Sequence, residues 1–528
     1  MCYTFVILED GVIGLNLKKN YYAVIDIGSN SMRLVIYVQQ HSGRLHEVEN
    51  VKSVARLRNY IDEEGNLSDE GIYRLIRTLK SFREVASIYV LTEFKIIATA
   101  AIRQAKNKKQ IQKIVKEELN WDMKILSEAE EAYYGYLAVV NSTAITEGIT
   151  VDIGGGSTEV TYFKNRILRH SHSFPFGALT LKEFFQGKGT NTEKIEKLRS
   201  FLYKEFYAID WLNNKHVPLI GIGGSARNMA QIDQNLKRYP LAGLHQYQMI
   251  DGDIAQLIHY LSSLPEHELP KVEGLSSDRA DTILPAMVLF HCLYLSVNAE
   301  GFILSRKGLR DGVFYESLSQ HAKEHLYPNV LEDSLTELIN EYDLNLSHIE
   351  HTKKLTNKLF QAFKTNGIGS LTKKDWEMLK LACYVYNLGN YIDSESSPQH
   401  TFYLLANRTI DGLMHIDRLK MSLIASYKNK TTFKQFIRPF KQWFLKEERE
   451  KLALLGAMLK FTYSLDATKR QVVQDMKLTV QNHREISLTL FCDKDFLPEQ
   501  YQAEKHKKHV EKLINKSIKL LFVMMHTN

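Results

Sequence analysis

Val24-Ile25-Asp26-Ile27-Gly28-Ser29-Asn30-Ser31-Met32-Arg33-Leu34 is the stretch whose reading decides the fold. Residues 22–27 form a short apolar run, 28–31 carry turn chemistry, and 32–38 form a second β-rich run, so the stretch predicts a hairpin. The same grammar returns at 149–153, 154–157 and 158–163. One supersecondary unit used twice predicts two related domains, each beginning on such a hairpin. A Gly-rich turn leading into a helix would instead point to a Rossmann or P-loop unit. Here Leu34, Val35 and Ile36 follow the first turn and Val160, Thr161 and Tyr162 the second, and these favour strand.

In both turns an acid, Asp26 or Asp152, ends the first strand, and the small residues after it let backbone N–H groups face an anion. Gly28, Ser29, Asn30, Ser31 and Arg33 on one side, and Gly154, Gly155, Gly156, Ser157 and Thr158 on the other, are therefore candidates to clamp a phosphate chain. Segment 219–224 reads as a strand running into a third turn, with Gly223, Gly224 and Ser225 as phosphate contacts and Ser225 as the cap of the next helix. A single turn of this type is as readily a hairpin whose Asp bonds its own backbone. Three in one chain point to a phosphate site, and the hairpin form resembles that of the actin/hexokinase-like folds.

Between the hairpins Leu67, Ile72, Leu75, Ile76, Leu79 and Phe82 recur at helical spacing, with Ser68 as N-cap. Segments 88–91, 94–98 and 123–126 read as strands, so the front of the chain is α/β. After about residue 325 the pattern turns helical, at 334–339, 349–363, 376–387 and 416–426. Segments 477–480 and 486–492 alternate like strands, and a last amphipathic helix is expected over about 498–522. The expected organisation is an extension at 1–20, α/β domains at 21–143 and 144–325, a helical domain at 326–450 and a small α+β domain at 451–528.

The bulk properties agree. A chain of 528 residues exceeds one hydrophobic core, because such cores stop growing at roughly 250 to 300 residues. No apolar run approaches the roughly 18 to 20 residues that span a bilayer. The apolar start at 2–8 is broken by Glu9 and Asp10 and lacks a basic leader and a small-residue cleavage site, unlike a signal peptide. Cys2, Cys292, Cys383 and Cys492 form no ligand cluster, which predicts reduced thiols in a cytoplasmic setting. Residues 1–330 carry 38 basic and 38 acidic side chains, so the whole net charge of +7 falls in 331–528. Lys428, Lys430, Lys434, Arg438, Lys441 and Lys446, then Lys505, Lys507, Lys508, Lys512, Lys516 and Lys519, are candidates for a polyanion track, the alternative being a solvated surface.

The motifs resemble the exopolyphosphatase/guanosine pentaphosphate phosphatase (Ppx/GppA) family. The resemblance rests on 24–34, on Ala98-Thr99-Ala100-Ala101-Ile102-Arg103-Gln104-Ala105 and on 151–159. Segment 127–132, Phe176-Gly177-Ala178, the 221–225 turn and Gly308-Leu309-Arg310-Asp311-Gly312 fit it as well. It implies two actin/hexokinase-like (ribonuclease H-like) α/β domains, then a helical HD-like domain and a small α+β domain. Turns that hold phosphate do not activate water, so a base is needed, and the Glu-Glu-Ala motif implies Glu131, with Glu130 beside it. Phosphate oxygens would raise the proton affinity of such a carboxylate, while an isolated Glu pair is otherwise a solvated helix face. The family implies Asp152 and Glu159 around Mg²⁺ and the attacking water, with Asp26 as the matching carboxylate of the first hairpin, for which a turn role stays open. Arg103 is expected to bridge phosphate oxygens.

One departure concerns the helical domain. Where an HD domain carries its His-Asp metal pair, this chain has Tyr386 and Asn387, with His351 and His400 near the flanking positions, so a binding role without hydrolysis is expected there. The reaction expected is release of terminal orthophosphate from inorganic polyphosphate with Mg²⁺, with or without a monovalent cation. The family alternative is guanosine pentaphosphate (pppGpp) hydrolysis, and the long basic surface favours polyphosphate. A kinase or ATPase of the same superfold and a non-enzymatic polyanion or RNA binder are the readings from other classes. Neither a membrane nor a stable nucleic-acid partner is expected, and a homodimer is one option for assembly.

Overall fold

The structure, a computed structural model, describes residues 5–7, 13–15, 19–39, 45–318 and 325–525. It divides into two compact units, Met1–Lys237 with Leu244–Val330, and Arg238–Gly243 with Leu331–Asn528. Of the extension expected at 1–20, Phe5–Ile7 and Ile13–Leu15 pair antiparallel, and residues 1–4, 8–12 and 16–18 lie outside the described residues.

In the N-terminal unit the opening stretch forms the predicted hairpin. Tyr21–Ile27 pairs antiparallel with Met32–Gln39, which sets Asp26 opposite Arg33, and the Gly28 N–H donates to the Ser31 carbonyl at 3.1 Å to close the turn. The second hairpin, Glu147–Ile153 with Thr158–Lys164, repeats this register. Asp152 stands opposite Glu159, and the Gly154 N–H donates to the Ser157 carbonyl at 2.9 Å. Each hairpin carries a third antiparallel strand on its outer side, Leu45–Ser53 or Ile167–Phe174. On the inner side parallel strands follow, Leu91–Ala98 then Met123–Ile125, or Leu219–Ile222 then Phe302–Leu304. The short strand Gln248–Met249 edges the second sheet.

Parallel neighbours require crossovers, and the helix Asp69–Ala86 supplies the first. Ser68 caps it, its Oγ accepting from the Gly71 N–H at 3.3 Å, and Leu75, Leu79 and Phe82 are buried with Ile25 and Leu34 of the sheet. Because the parallel strands run the same way, Asp26, Thr99, Asp152 and Gly223 all emerge at strand C-terminal ends, where open α/β sheets place ligands.

In the C-terminal unit the helices Leu346–Thr365, Lys373–Tyr384, Ser397–Asn407, His415–Ala425 and Lys446–Ser464 enclose Leu355, Leu359, Phe360, Leu379, Leu419 and Leu455. The strands Val473–Val480, Glu485–Cys492 and Ser517–Met524 form a sheet whose Ile486, Leu488 and Leu490 belong to the same apolar cluster. The boundary expected at 450 thus falls inside the helix Lys446–Ser464, and the helical and α+β parts share one core.

Three further expectations change. Residues 88–91 form no separate strand; the chain turns there and one strand runs Leu91–Ala98. The last helix ends at Ile514, because Asn515 adopts φ 53. After it, Ser517–Met524 runs parallel to Glu485–Cys492 with Ile518 inward and Lys519 outward, a period-2 pattern that the charged run before it obscures. The helix after the third turn starts at Gly223, so Ser225 lies inside it instead of capping it.

Asn387, which stands at the expected metal-pair position, follows the helix Lys373–Tyr384 in the left-handed region at φ 58. Cys292, Cys383 and Cys492 are buried thiols, and Cys2 lies outside the described residues. Among the described residues no helix is long and apolar enough to cross a membrane.

Candidate active site

The strand ends of the two sheets enclose a cleft of about 380 Å³. Gly28, Ser29, Asn30, Ser31 and Arg33 line it from the first hairpin, Gly154, Gly155 and Ser157 from the second, and Gly223 and Gly224 from the third turn. The turns are held by backbone bonds from elsewhere. The Arg56 N–H donates to Asn30 and the Arg58 N–H to Ser29, while the Ala178 and Leu179 N–H groups donate to Gly154 and Gly155 at 2.9 and 3.0 Å. Gly177 makes that last contact possible, since a Cβ there would sit 2.5 Å from the Gly154 carbonyl oxygen. At Gly223, φ is +83 and a Cβ would strike Asp152, so this glycine serves both the turn and the carboxylate.

Besides Asp278, four acids line the cleft, Asp26, Glu131, Asp152 and Glu159. Glu131 sits in the first turn of the helix Glu128–Val140, where Arg103 Nη1 donates to its Oε2 at 2.8 Å and also to the Leu126 carbonyl at 3.0 Å. Burial pushes Glu131 up to about 7 despite Arg103, and the Asp152 and Asp26 charges add to the rise. Burial, helped by Asp26, pushes Asp152 up to about 6. Burial raises Asp26 against the pull of Arg310 and Arg33. Glu159 is raised well above the carboxylate range by burial and then by Glu131, while Ser173 Oγ donates to it at 3.1 Å. Among the described residues no three His, Cys, Asp or Glu side chains gather closely enough to hold a metal alone. Mg²⁺ takes several ligands from water and phosphate oxygens, however, and mutually repelling buried carboxylates are the donor type it uses, so Asp26, Asp152 and Glu159 fit it.

The remaining charge is positive. Arg33, Arg227, Arg279, Arg306, Arg310 and Lys52 line the same cleft, and among the described lining residues there is no Phe, Tyr, Trp or His. Burial, with the other arginines adding, lowers Arg227 to about 10. Lys52 and Asp278, both on the cleft wall, pair at 2.8 Å.

Several expected site residues take other places. Glu130 caps its own helix, its carboxylate accepting from the Ser127 N–H at 2.8 Å and pairing with Lys124 at 2.6 Å. Arg103 does not line the cleft and instead holds Glu131. Gly156 leaves room for the Arg58 guanidinium, and Thr158 Oγ1 donates to the Phe176 carbonyl at 2.8 Å. Ser225 Oγ accepts from Arg279 Nη1 at 3.3 Å, and a side chain at Gly224 would collide with that guanidinium. Arg227, Arg279 and Arg306 carry no local motif and so leave no mark in the sequence, and Arg310 is legible only as part of the 308–312 motif.

In the C-terminal unit, Lys428, Lys505, Lys508 and Lys512 gather around Lys460, His506 and His509. Lys507 is not part of this set, since it pairs with Glu504 and donates to the Ile518 carbonyl, both at 2.8 Å. Lys430, Lys434 and Arg438 are exposed on and just after the helix Lys430–Ile437.

Residues 34–321 match the Ppx/GppA phosphatase family, and residues 330–507 match domain III of Ppx/GppA phosphatases. A solved Ppx/GppA family member from Aquifex aeolicus is 28% identical, with 58% of this chain and 99% of that one covered at a TM-score of 0.52. Another structure of the A. aeolicus enzyme gives 29% identity, 56% and 99% coverage and a TM-score of 0.50. An exopolyphosphatase from Cytophaga hutchinsonii shares the fold at 23% identity, with 57% and 98% covered and a TM-score of 0.52.

Proposed function

Because this chain belongs to the Ppx/GppA phosphatase family, we propose that it is an exopolyphosphatase, releasing terminal orthophosphate from inorganic polyphosphate by in-line attack of water. The observation that carries the reading is a cleft with six cationic side chains and, among its described lining, no aromatic ring. A bare phosphate chain suits this surplus of cations, whereas a guanine base would find no aromatic ring to stack on.

The turn N–H groups at 28–31 and 154–157 and the arginine side chains bind the phosphate oxygens and fix the terminal group in line. Glu131, held by Arg103, takes the proton of the attacking water; a base with a pKa of about 7 is half ready at neutral pH. Arg33, Arg279 and Arg310 then face the charge that develops on the transferred group and on the departing chain. Mg²⁺, held by Asp26, Asp152 and Glu159, would neutralise phosphate charge when bound.

The purified protein with Mg²⁺ should release orthophosphate from inorganic polyphosphate in preference to guanosine pentaphosphate and ATP. Faster release from guanosine pentaphosphate would replace this reading with the nucleotide one, and release from ATP alone would point to an ATPase.

A further inference from the structure

We propose that a cavity of about 350 Å³ in the C-terminal unit is a second ligand site that binds a nucleoside polyphosphate, with its phosphates against Lys428, Lys460 and the start of the helix Ser397–Asn407. The inference does not depend on what the catalytic cleft hydrolyses.

The phosphate half rests on unanswered positive charge. Lys428, Lys460, Lys505 and Lys508 lie close enough to repel one another, and none of them forms an ion pair among the described residues. Lys460 is half-buried and is held in place by donating to the Lys428 carbonyl at 2.6 Å. Burial and then the neighbouring lysines push it down to about 8, and burial with Lys460 pushes His506 down to about 4. Such crowding costs stability unless an anion relieves it. Two independent features point the same way. Ser397, only 3% exposed, lines the cavity with an Oγ that has no hydrogen-bond partner, and His506 Nδ1 is likewise buried without one. Ser397 and Pro398 also open an 11-residue helix whose N-terminus borders the cavity, the end of a helix that favours phosphate.

The second half rests on what the catalytic cleft lacks. Tyr386, Tyr427 and Tyr463 line this cavity, with Asn387, Asn390 and Gln502 between them. The half-buried Tyr386 and Tyr463, packed on each other at 4.7 Å, give a base an aromatic wall, and amides match the paired donors and acceptors of its edge. An inorganic phosphate chain gains nothing from the aromatic wall and can use only the N–H donors of the amides. Of the residues expected to form a track, Lys428 lines this pocket beside Lys460, whereas Lys430, Lys434, Arg438, Lys505, Lys508 and Lys512 do not.

Hydrogen exchange on the full chain with the non-hydrolysable imido analogues of ATP and GTP, and in parallel with inorganic tripolyphosphate, tests this. The expected result is nucleotide-dependent protection of Ser397–Asn407 and Leu497–Ile514. By calorimetry, the exchange Lys428→Gln at an exposed position should weaken the analogue bound there roughly tenfold or more, the loss typical of charged hydrogen bonds. Asn390→Ala, also exposed, should weaken the analogue while leaving tripolyphosphate affinity unchanged. Absence of protection at these helices with both analogues overturns the proposal. So does equal protection by tripolyphosphate with no effect of Asn390→Ala, which would make the cavity a phosphate-only site.

Discussion

The two hairpins share a turn bond, a register and a place in their sheets, yet differ in one facing pair. Asp26 faces Arg33 in the first, and Asp152 faces Glu159 in the second. In the first, Arg310 and the facing Arg33 offset the carboxylate; in the second, the facing Asp152 adds to the proton affinity of Glu159. The same scaffold has therefore been given opposite electrostatics on either side of one cleft. A cationic hairpin suits phosphate oxygens, while an acidic one beside Glu131 suits water and a cation. Duplication supplies the geometry, and a charge reversal at one register position divides the work.

The acidic half should be the more fragile in turnover. Glu131→Gln keeps the side-chain size and removes the proton acceptor, so kcat for phosphate release from polyphosphate should fall by about 10² to 10⁴ with KM nearly unchanged. Turnover close to wild type would remove Glu131 from the role of base. The cationic half should respond in binding. Arg33→Gln should raise KM roughly tenfold to a hundredfold, the worth of a charged hydrogen bond or two, with a smaller change in kcat. A loss confined to kcat would erase the proposed division between the hairpins.

Sequence legibility follows how local each signal is. Both hairpins can be read because strand, turn and strand lie within 20 residues and recur. The arginines of the cleft cannot, because Arg227, Arg279 and Arg306 stand on three separate connections and meet only through the sheet topology. Their one trace is indirect. Gly223-Gly224 reads as a phosphate turn, while in the fold it also clears space for Asp152 and Arg279. Ser127-Glu128-Ala129-Glu130 carries a capping-box signature, and that local pattern by itself separates Glu130 from Glu131. The strand Ser517–Met524 is masked by lysines that suit a helix surface equally well.

A smaller effect should appear in the pH profile. A base works deprotonated, so kcat/KM should climb as pH rises through about 7, the value to which burial brings Glu131. Arg103 opposes that rise, so Arg103→Gln should move the limb to higher pH and lower activity at pH 7 severalfold, with recovery in alkaline buffer. A purely structural role for Arg103 would give a loss that no pH restores. The same acids bear on stability. Folded Glu131 and Asp152 keep protons that the unfolded chain releases, from ordinary values of 4.5 and 3.8 up to about 7 and 6. Their contribution to the stability of the ligand-free protein therefore falls as pH rises through that window, and Glu131→Gln should flatten the decline in a melting series.

The smallest effect separates two adjacent glutamates. Glu130 and Glu131 lie about 100° apart around the same helix turn, so one can face the helix start while the other faces the cleft. Glu130 accepts from the Ser127 N–H and pairs with Lys124, whereas Glu131 meets Arg103 and the buried acids. Glu130→Ala should therefore cost about 0.5 to 2 kcal/mol of stability, as the loss of a capping contact does. In a protein of this size that is a melting shift of about two degrees or less. Ser127 Oγ still accepts from the N–H of residue 130, so the helix keeps its start and Glu131 keeps its position. Turnover should then stay within about twofold of wild type, the usual range for a change away from the reacting groups. A large loss of kcat at an unchanged melting temperature would mean that the two glutamates act together, and the acidic half of the cleft would have to be redrawn around both.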